Sequence, residues 1–242
     1  MANALAFIWG GYYTLTPILF ATGFIAICVI TAWASIEWQT KDLIVIAVSA
    51  IFLSFIDEYA HTSIGTIAYF DEATPSLLTV FGWSIFMTFL VATTKSIANI
   101  PWLHIEDHRK LRSLPVIVSL VLLIAIIVQG YLSIFNWVIF LVYFLLFVAS
   151  FYYTSVHHLK WNITMMVVSL VFGLCMEYVG GMEGLWTFRS QDPISLLILF
   201  SWPLRLWAVN AFCLVVGVDF SSHYEKSALS PSTETAKAQT SQ

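Results

Sequence analysis

Charge is scarce in this sequence. Lys and Arg number 10 and Asp and Glu 14 in 242 residues, so 10% of the chain is charged, against 60% hydrophobic. A soluble domain carries about 25% charged residues. This composition excludes both an ordinary soluble globule and a disordered chain. A net charge of −4 leaves no basic footprint for nucleic acid. Cysteine is scarce too. Cys28, Cys175 and Cys213 all lie in apolar runs, with neither a disulfide framework nor metal-ligand spacing. Phosphate loops, HExxH sequences and nucleophile elbows are absent.

Long apolar runs are what the chain has. A membrane-spanning helix needs about 20 mostly apolar residues in succession. Seven stretches qualify: Leu15–Ser35, Leu43–Thr62, Pro75–Ile97, Leu114–Leu132, Ile134–Val156, Asn162–Val179 and Ile194–Val218. The expected fold is therefore all-α, a single polytopic membrane domain over residues 1–225 with seven transmembrane helices. The Ser/Thr/Ala-rich residues 226–242 read as a disordered cytoplasmic tail. No basic residue precedes the first apolar run, so no cleaved signal peptide is expected. Lys41, Lys95, Arg109, Lys110, Arg112, Lys160, Lys226 and Lys237 fall on one side of this topology. Only Arg189 falls on the other. The positive-inside rule then puts the N-terminus outside and the C-terminus in the cytoplasm.

Shifting the sequence by 119 residues aligns two segments without gaps. Glu58-Tyr59 falls on Glu177-Tyr178, Gly65 on Gly184, Ser76-Leu77-Leu78 on Ser195-Leu196-Leu197, Phe81 on Phe200 and Trp83 on Trp202. Apolar composition does not readily pair Glu, Tyr, Gly and Trp at one offset. The plan is three helices, a linking helix at 114–132, then three more, with repeat halves at about 15–97 and 134–218. Four helices separate equivalent spans, so the halves are parallel and related by an axis along the membrane normal. Their interface is the natural place for a site.

Ionisable groups inside a bilayer are costly and are functional candidates by default. Asp57, Glu58 and Glu177 lie near the outer ends of spans two and six, and Arg205 lies about eleven residues into span seven. One reading is a structural ion pair, Arg205 with Glu177 or Glu58. The other is a catalytic site. Three carboxyls share one cation, so at least one is expected to hold a proton and serve as a general acid. His61 or Thr62 and then Gly65 follow Glu58 at helical spacing, as Gly180 or Gly181 and then Gly184 follow Glu177. Trp83 and Trp202 sit deep enough to line a cavity or to pack. Tyr59, Tyr178 and Trp186 lie near the outer boundary, where belt anchoring competes with substrate contact. Pro203 interrupts the backbone bonding of span seven beside Arg205. Gln129, Asn136 and Asn210 read as interhelical hydrogen-bonding groups. Asp71, Glu72, Glu183 and Asp192 read as solvated loop charges. His104, Glu106, Asp107 and His108 form a cytoplasmic loop that nothing nearby completes as a metal site.

None of the six lysines lies in span seven, which excludes a Schiff-base retinal pigment. Sugar-efflux transporters of the SWEET kind share the plan and orientation. They rely on paired repeat prolines, and here Pro17 has no partner in span five. The segments Asp57-Glu58-Tyr59…Gly65…Tyr69-Phe70 and Glu177-Tyr178…Gly184-Leu185-Trp186-Thr187-Phe188 resemble the repeated motif of small membrane lycopene cyclases. They also resemble the related carotenoid hydratases of the bacterioruberin pathway. The cyclases' Pro-x-Glu-Glu motif is missing, since the matching stretches read Phe81-Gly82-Trp83-Ser84 and Phe200-Ser201-Trp202-Pro203. The resemblance implies proton-initiated cyclisation or hydration of a terpenoid or carotenoid polyene, with no cofactor and no metal. Glu58 or Glu177 would be the acid, Asp57 its neighbour and Arg205 the group that decides which carboxyl keeps the proton. Trp83, Trp202, Tyr59 and Tyr178 would face the cation, with His61 and Trp186 at the substrate. A seven-helix transporter and a non-catalytic subunit of a membrane complex are the alternatives. Partners other than substrate and lipid bilayer are not readable.

Overall fold

The computed structural model describes residues 38–69, 72–100, 105–128, 137–182, 184–188 and 196–221, and six single residues between 23 and 33. Among the described residues, six α-helices and two short strands form in the order α1 (Thr40–Ser63), β1 (Ile67–Tyr69), α2 (Leu77–Ala98), α3 (Leu114–Ile126), α4 (Trp137–Val156), α5 (Leu159–Met182), β2 (Trp186–Phe188) and α6 (Leu196–Val215). Five of the helices, all but α3, are long and apolar enough to cross a membrane. That is the mark of a membrane protein. The expected span at 15–35 lies, single residues apart, outside the described residues. So do Cys28, Asp71, His104, Gln129, Asn136, Glu183, Arg189, Asp192 and the tail.

Local signals set the helix ends. The Gln39 amide donates to Asp42 Oδ2 at 3.1 Å ahead of α1, and Ser76 Oγ accepts from the Thr79 amide at 3.5 Å to start α2. Pro115 sits in the first turn of α3, where its missing N–H costs nothing. α1 and α5 both stop in the same way. Gly65 and Gly184 adopt positive φ, 72° and 68°. The amides of Thr66 and Leu185 then turn back onto the carbonyls of His61 and Gly180 at 2.9 Å.

The 119-residue offset carries α1 onto α5 without a residue of slippage, β1 onto β2 and the start of α2 onto the start of α6. The strands pair antiparallel, Ile67 with Phe188, Ala68 with Thr187 and Tyr69 with Trp186. Ala68 and Thr187 are repeat mates, and the two outer pairs map onto each other. The units α1–β1–α2 and α5–β2–α6 are therefore related by an approximate two-fold axis through the centre of the ribbon. α2 and α6 are the inner helices, while α1, α4 and α5 turn apolar faces outward, among them Phe52, Phe55, Phe144, Phe151 and Val171.

The end away from the strands is basic and tightly bonded. Lys160 Nζ donates to the Ile100 carbonyl at 3.0 Å. Asn162 donates to the carbonyls of Arg112, Thr154 and His157. Asp107 pairs with Arg112 and accepts the Leu159 amide. Arg112 holds the Asp107 carboxyl below its ordinary range. Lys95 and Lys160 are buried in the end turns of α2 and α5. Among the described residues no His/Cys/Asp/Glu group could hold a metal ion.

Candidate functional site

The site grows from one contact made twice. Trp83 Nε1 on α2 donates to Glu58 Oε1 on α1 at 2.7 Å. Trp202 Nε1 on α6 donates to Glu177 Oε1 on α5 at 3.0 Å. Both glutamates and both tryptophans are buried. An indole N–H only donates, so each bond fixes one carboxyl oxygen as an acceptor and leaves the other for a second contact. The two indoles meet at the axis edge to face, with centroids 4.9 Å apart. Trp186 packs on Trp83 at 5.8 Å and Phe86 on Trp202 at 5.3 Å. Small residues make room. A Cβ on Gly173 would lie 2.6 Å from the Trp202 ring, and one on Gly180 would lie 2.0 Å from Trp186.

An asymmetric layer of polar groups is laid over this symmetric core. Arg205 Nη2 lies 2.6 Å from Asp57 Oδ2 in a buried ion pair. The Arg205 guanidinium also stands 5.1 Å from the Trp202 ring centre, a cation–π contact. Tyr69 Oη donates to Glu58 Oε2. His61 Nε2 lies 3.1 Å from Tyr143 Oη and 3.7 Å from Asp57 Oδ1. Asp57 Oδ1, Arg205 Nε and His61 Nδ1 are buried and have no hydrogen-bond partner among the described residues. A buried polar atom left unpaired costs about 1–3 kcal/mol. Asp57, Glu58, Trp83, Met87, Trp202 and Arg205 line a cavity of about 10 Å³, room for about one water.

Eight of the ten expected residues are brought together in the bundle interior: Asp57, Glu58, His61, Trp83, Glu177, Trp186, Trp202 and Arg205. Trp186 is among them, buried rather than at the boundary. Tyr59 and Tyr178 are not. Each follows its glutamate by one residue, about 100° around the helix, and is half exposed on the outer face. They face outward and do not join the cluster. The ion-pair expectation is corrected as well. Arg205 pairs with Asp57, not with Glu58 or Glu177, because the two glutamates are turned onto tryptophans. Tyr143 and Gly173 were missed. Tyr143 hides in the aromatic-rich run of α4, and Gly173 carries no signal until its neighbour is known to be Trp202.

No protein-family model, curated protein or solved structure matches this chain.

Proposed function

We propose that this chain is an integral membrane enzyme that donates a proton from a buried carboxyl to an apolar isoprenoid, starting its cyclisation or hydration. The full plan is seven spans, three plus one plus three, with parallel halves about an axis along the membrane normal. The N-terminus is outside, and the strand ribbon lies on that side. The basic end, with Lys41, Lys95, Lys160 and Arg112, faces the cytoplasm. The bilayer is the solvent for substrate and protein alike.

One observation carries the reading. Two buried carboxyls are each held by an indole N–H, and the two indoles meet at 4.9 Å beside a buried Asp57–Arg205 pair. A carboxyl beside aromatic faces is what proton-initiated polyene chemistry needs. The acid proton and the alkene electron pair form a C–H bond, and the carboxylate and a carbocation remain. The π faces of Trp83 and Trp202 stabilise that cation. Ring closure or capture of water, followed in either case by loss of a proton back to the carboxylate, completes the reaction. Arg205, fixed between Asp57 and Trp202, sets the local charge that decides where the proton sits. No cofactor or metal enters the scheme.

The test is expression in cells that make carotenoids or terpenoids, followed by mass analysis of the lipid extract. Hydration adds the mass of one water. Cyclisation changes retention at constant mass. Unchanged products on comparing wild type with Glu58→Gln and Glu177→Gln would sink the acid mechanism. A second reading, proton-coupled transport through the same cluster, is favoured by the cavity at Asp57 and Arg205, whose size suits one water better than a polyene. Proton flux into dye-loaded vesicles that is abolished by Glu58→Gln would select it.

A further inference from the structure

The repeat supplies an internal comparison for every residue of the cluster. Glu58 and Trp83 return at the 119-residue offset as Glu177 and Trp202, and the same hydrogen bond is made again. The groups around them do not return. Asp57 stands opposite Met176, His61 opposite Gly180, Tyr69 opposite Phe188 and Tyr143 opposite Phe24, and Arg205 stands opposite Phe86. Every one of these five exchanges sets an ionisable or hydroxylated side chain against one that is neither.

The five polar groups also converge in space, and they converge on Glu58. Tyr69 occupies the second oxygen of Glu58. Asp57 precedes it in the chain and is paired with Arg205 at 2.6 Å. His61 lies one turn further along α1, in its last turn at the strand end, 3.7 Å from Asp57 and 3.1 Å from Tyr143. The cavity is lined by Glu58, Asp57 and Arg205, and Glu177 is not among its walls. Among the described residues, the ionisable groups facing the cluster are Asp57 and His61 from α1, Tyr69 from β1, Tyr143 from α4, Glu177 from α5 and Arg205 from α6. α2 contributes the Trp83 indole.

On the reading that this cluster does proton chemistry, we infer that the two glutamates have separate roles. Glu58 is the carboxyl that exchanges its proton, with His61 and Tyr143 as positioning residues of its proton path. Glu177 holds Trp202 in place. The path needs no oxidant or reductant. His61 takes a proton at its unpartnered Nδ1 and releases one from Nε2, on the side of Asp57 and Tyr143, so its charge is unchanged. The proton that His61 releases passes to Asp57, 3.7 Å away, which hands it to a water in the cavity shared by Asp57 and Glu58, and that water passes one on to Glu58, which has given its own away.

The experiment is hydrogen–deuterium exchange of protonated carboxyl groups, followed by infrared spectroscopy on the full chain in lipid vesicles. Glu58→Gln and Glu177→Gln assign the two bands. The Glu58 band is expected to exchange on mixing and the Glu177 band more slowly. Tyr143→Phe, which keeps the ring, should slow Glu58 exchange about fivefold to tenfold, the worth of one net hydrogen bond, and leave Glu177 unchanged. Equal exchange at both glutamates, the absence of any band lost in Glu58→Gln, or no effect of Tyr143→Phe would overturn the assignment. If Glu58→Gln fails to fold, Tyr143→Phe and Glu177→Gln still decide between the two carboxyls. No substrate is involved, so failure of the product test with selective Glu58 exchange would discard the enzyme and keep the division of roles.

Discussion

Removing the buried Asp57–Arg205 pair one partner at a time, and then both together, separates a structural role from a functional one. At 2.6 Å the direct attraction is about 6 kcal/mol at an effective dielectric of about 20. Desolvation of both groups opposes it, so replacing a whole buried pair by apolar residues is often neutral or stabilising by about 1–4 kcal/mol. The chain itself supplies the replacement, because Met176 and Phe86 occupy the mate positions. Asp57→Met alone leaves the guanidinium buried and uncompensated, a loss of about 3–5 kcal/mol. Arg205→Phe alone costs less, because an abandoned carboxyl can take up a proton whereas a guanidinium cannot lose one. The double variant should return to within about 1 kcal/mol of wild type. The assay is reversible unfolding in mixed micelles, followed by tryptophan fluorescence. Two single losses that simply add in the double variant would refute the reasoning and would mean that the pair is not an energetic unit.

Other expectations are more local. Gly173→Ala puts a methyl 2.6 Å from Trp202 and should cost about 1–3 kcal/mol by overpacking. Gly82→Ala, which meets nothing within 4 Å, should be neutral or stabilising by up to about 1 kcal/mol. Thermal unfolding of the two variants side by side checks this. At the basic end, the Arg112 hydrogen bond holds the Asp107 carboxyl below its ordinary value of 3.8. Its contribution to stability is therefore present above that value and lost as pH falls through the lower folded-state value. Asp107→Asn should flatten the acid limb of a stability–pH curve below about pH 4. An unchanged limb would assign the loss to other groups. Gly65→Ala and Gly184→Ala, both at positive φ, should each weaken the strand end by about 1 kcal/mol, as read by exchange of the Thr66 and Leu185 amides.

The helices were readable from the sequence because hydropathy alone marks a stretch that must be covered by lipid or protein. α1, α2, α4, α5 and α6 fall within a few residues of the expected spans. Pairing Glu58 with Trp83 and Glu177 with Trp202 was within reach too, since the four return at one offset. Partner choice was not readable. Whether Arg205 reaches Asp57 or a glutamate depends on helix rotation by a fraction of a turn, and the sequence does not encode rotation directly. The outward turn of Tyr59 and Tyr178 follows from the same rotation once their glutamates are known to point inward. Tyr143 carried a signal of another kind. Differences at the repeat offset, such as Asp57 against Met176 or Tyr143 against Phe24, single out groups that only one half carries.

Under the proposed function, Asp57, Glu58 and Arg205 are kept for proton chemistry on an apolar substrate and not for stability. Product analysis of the Asp57→Met/Arg205→Phe double variant tests this most directly. Cells producing carotenoids or terpenoids would express wild type and the double variant at matched levels of folded protein. A new lipid product is expected with wild type and none with the double variant. The same product from both would contradict the proposed function.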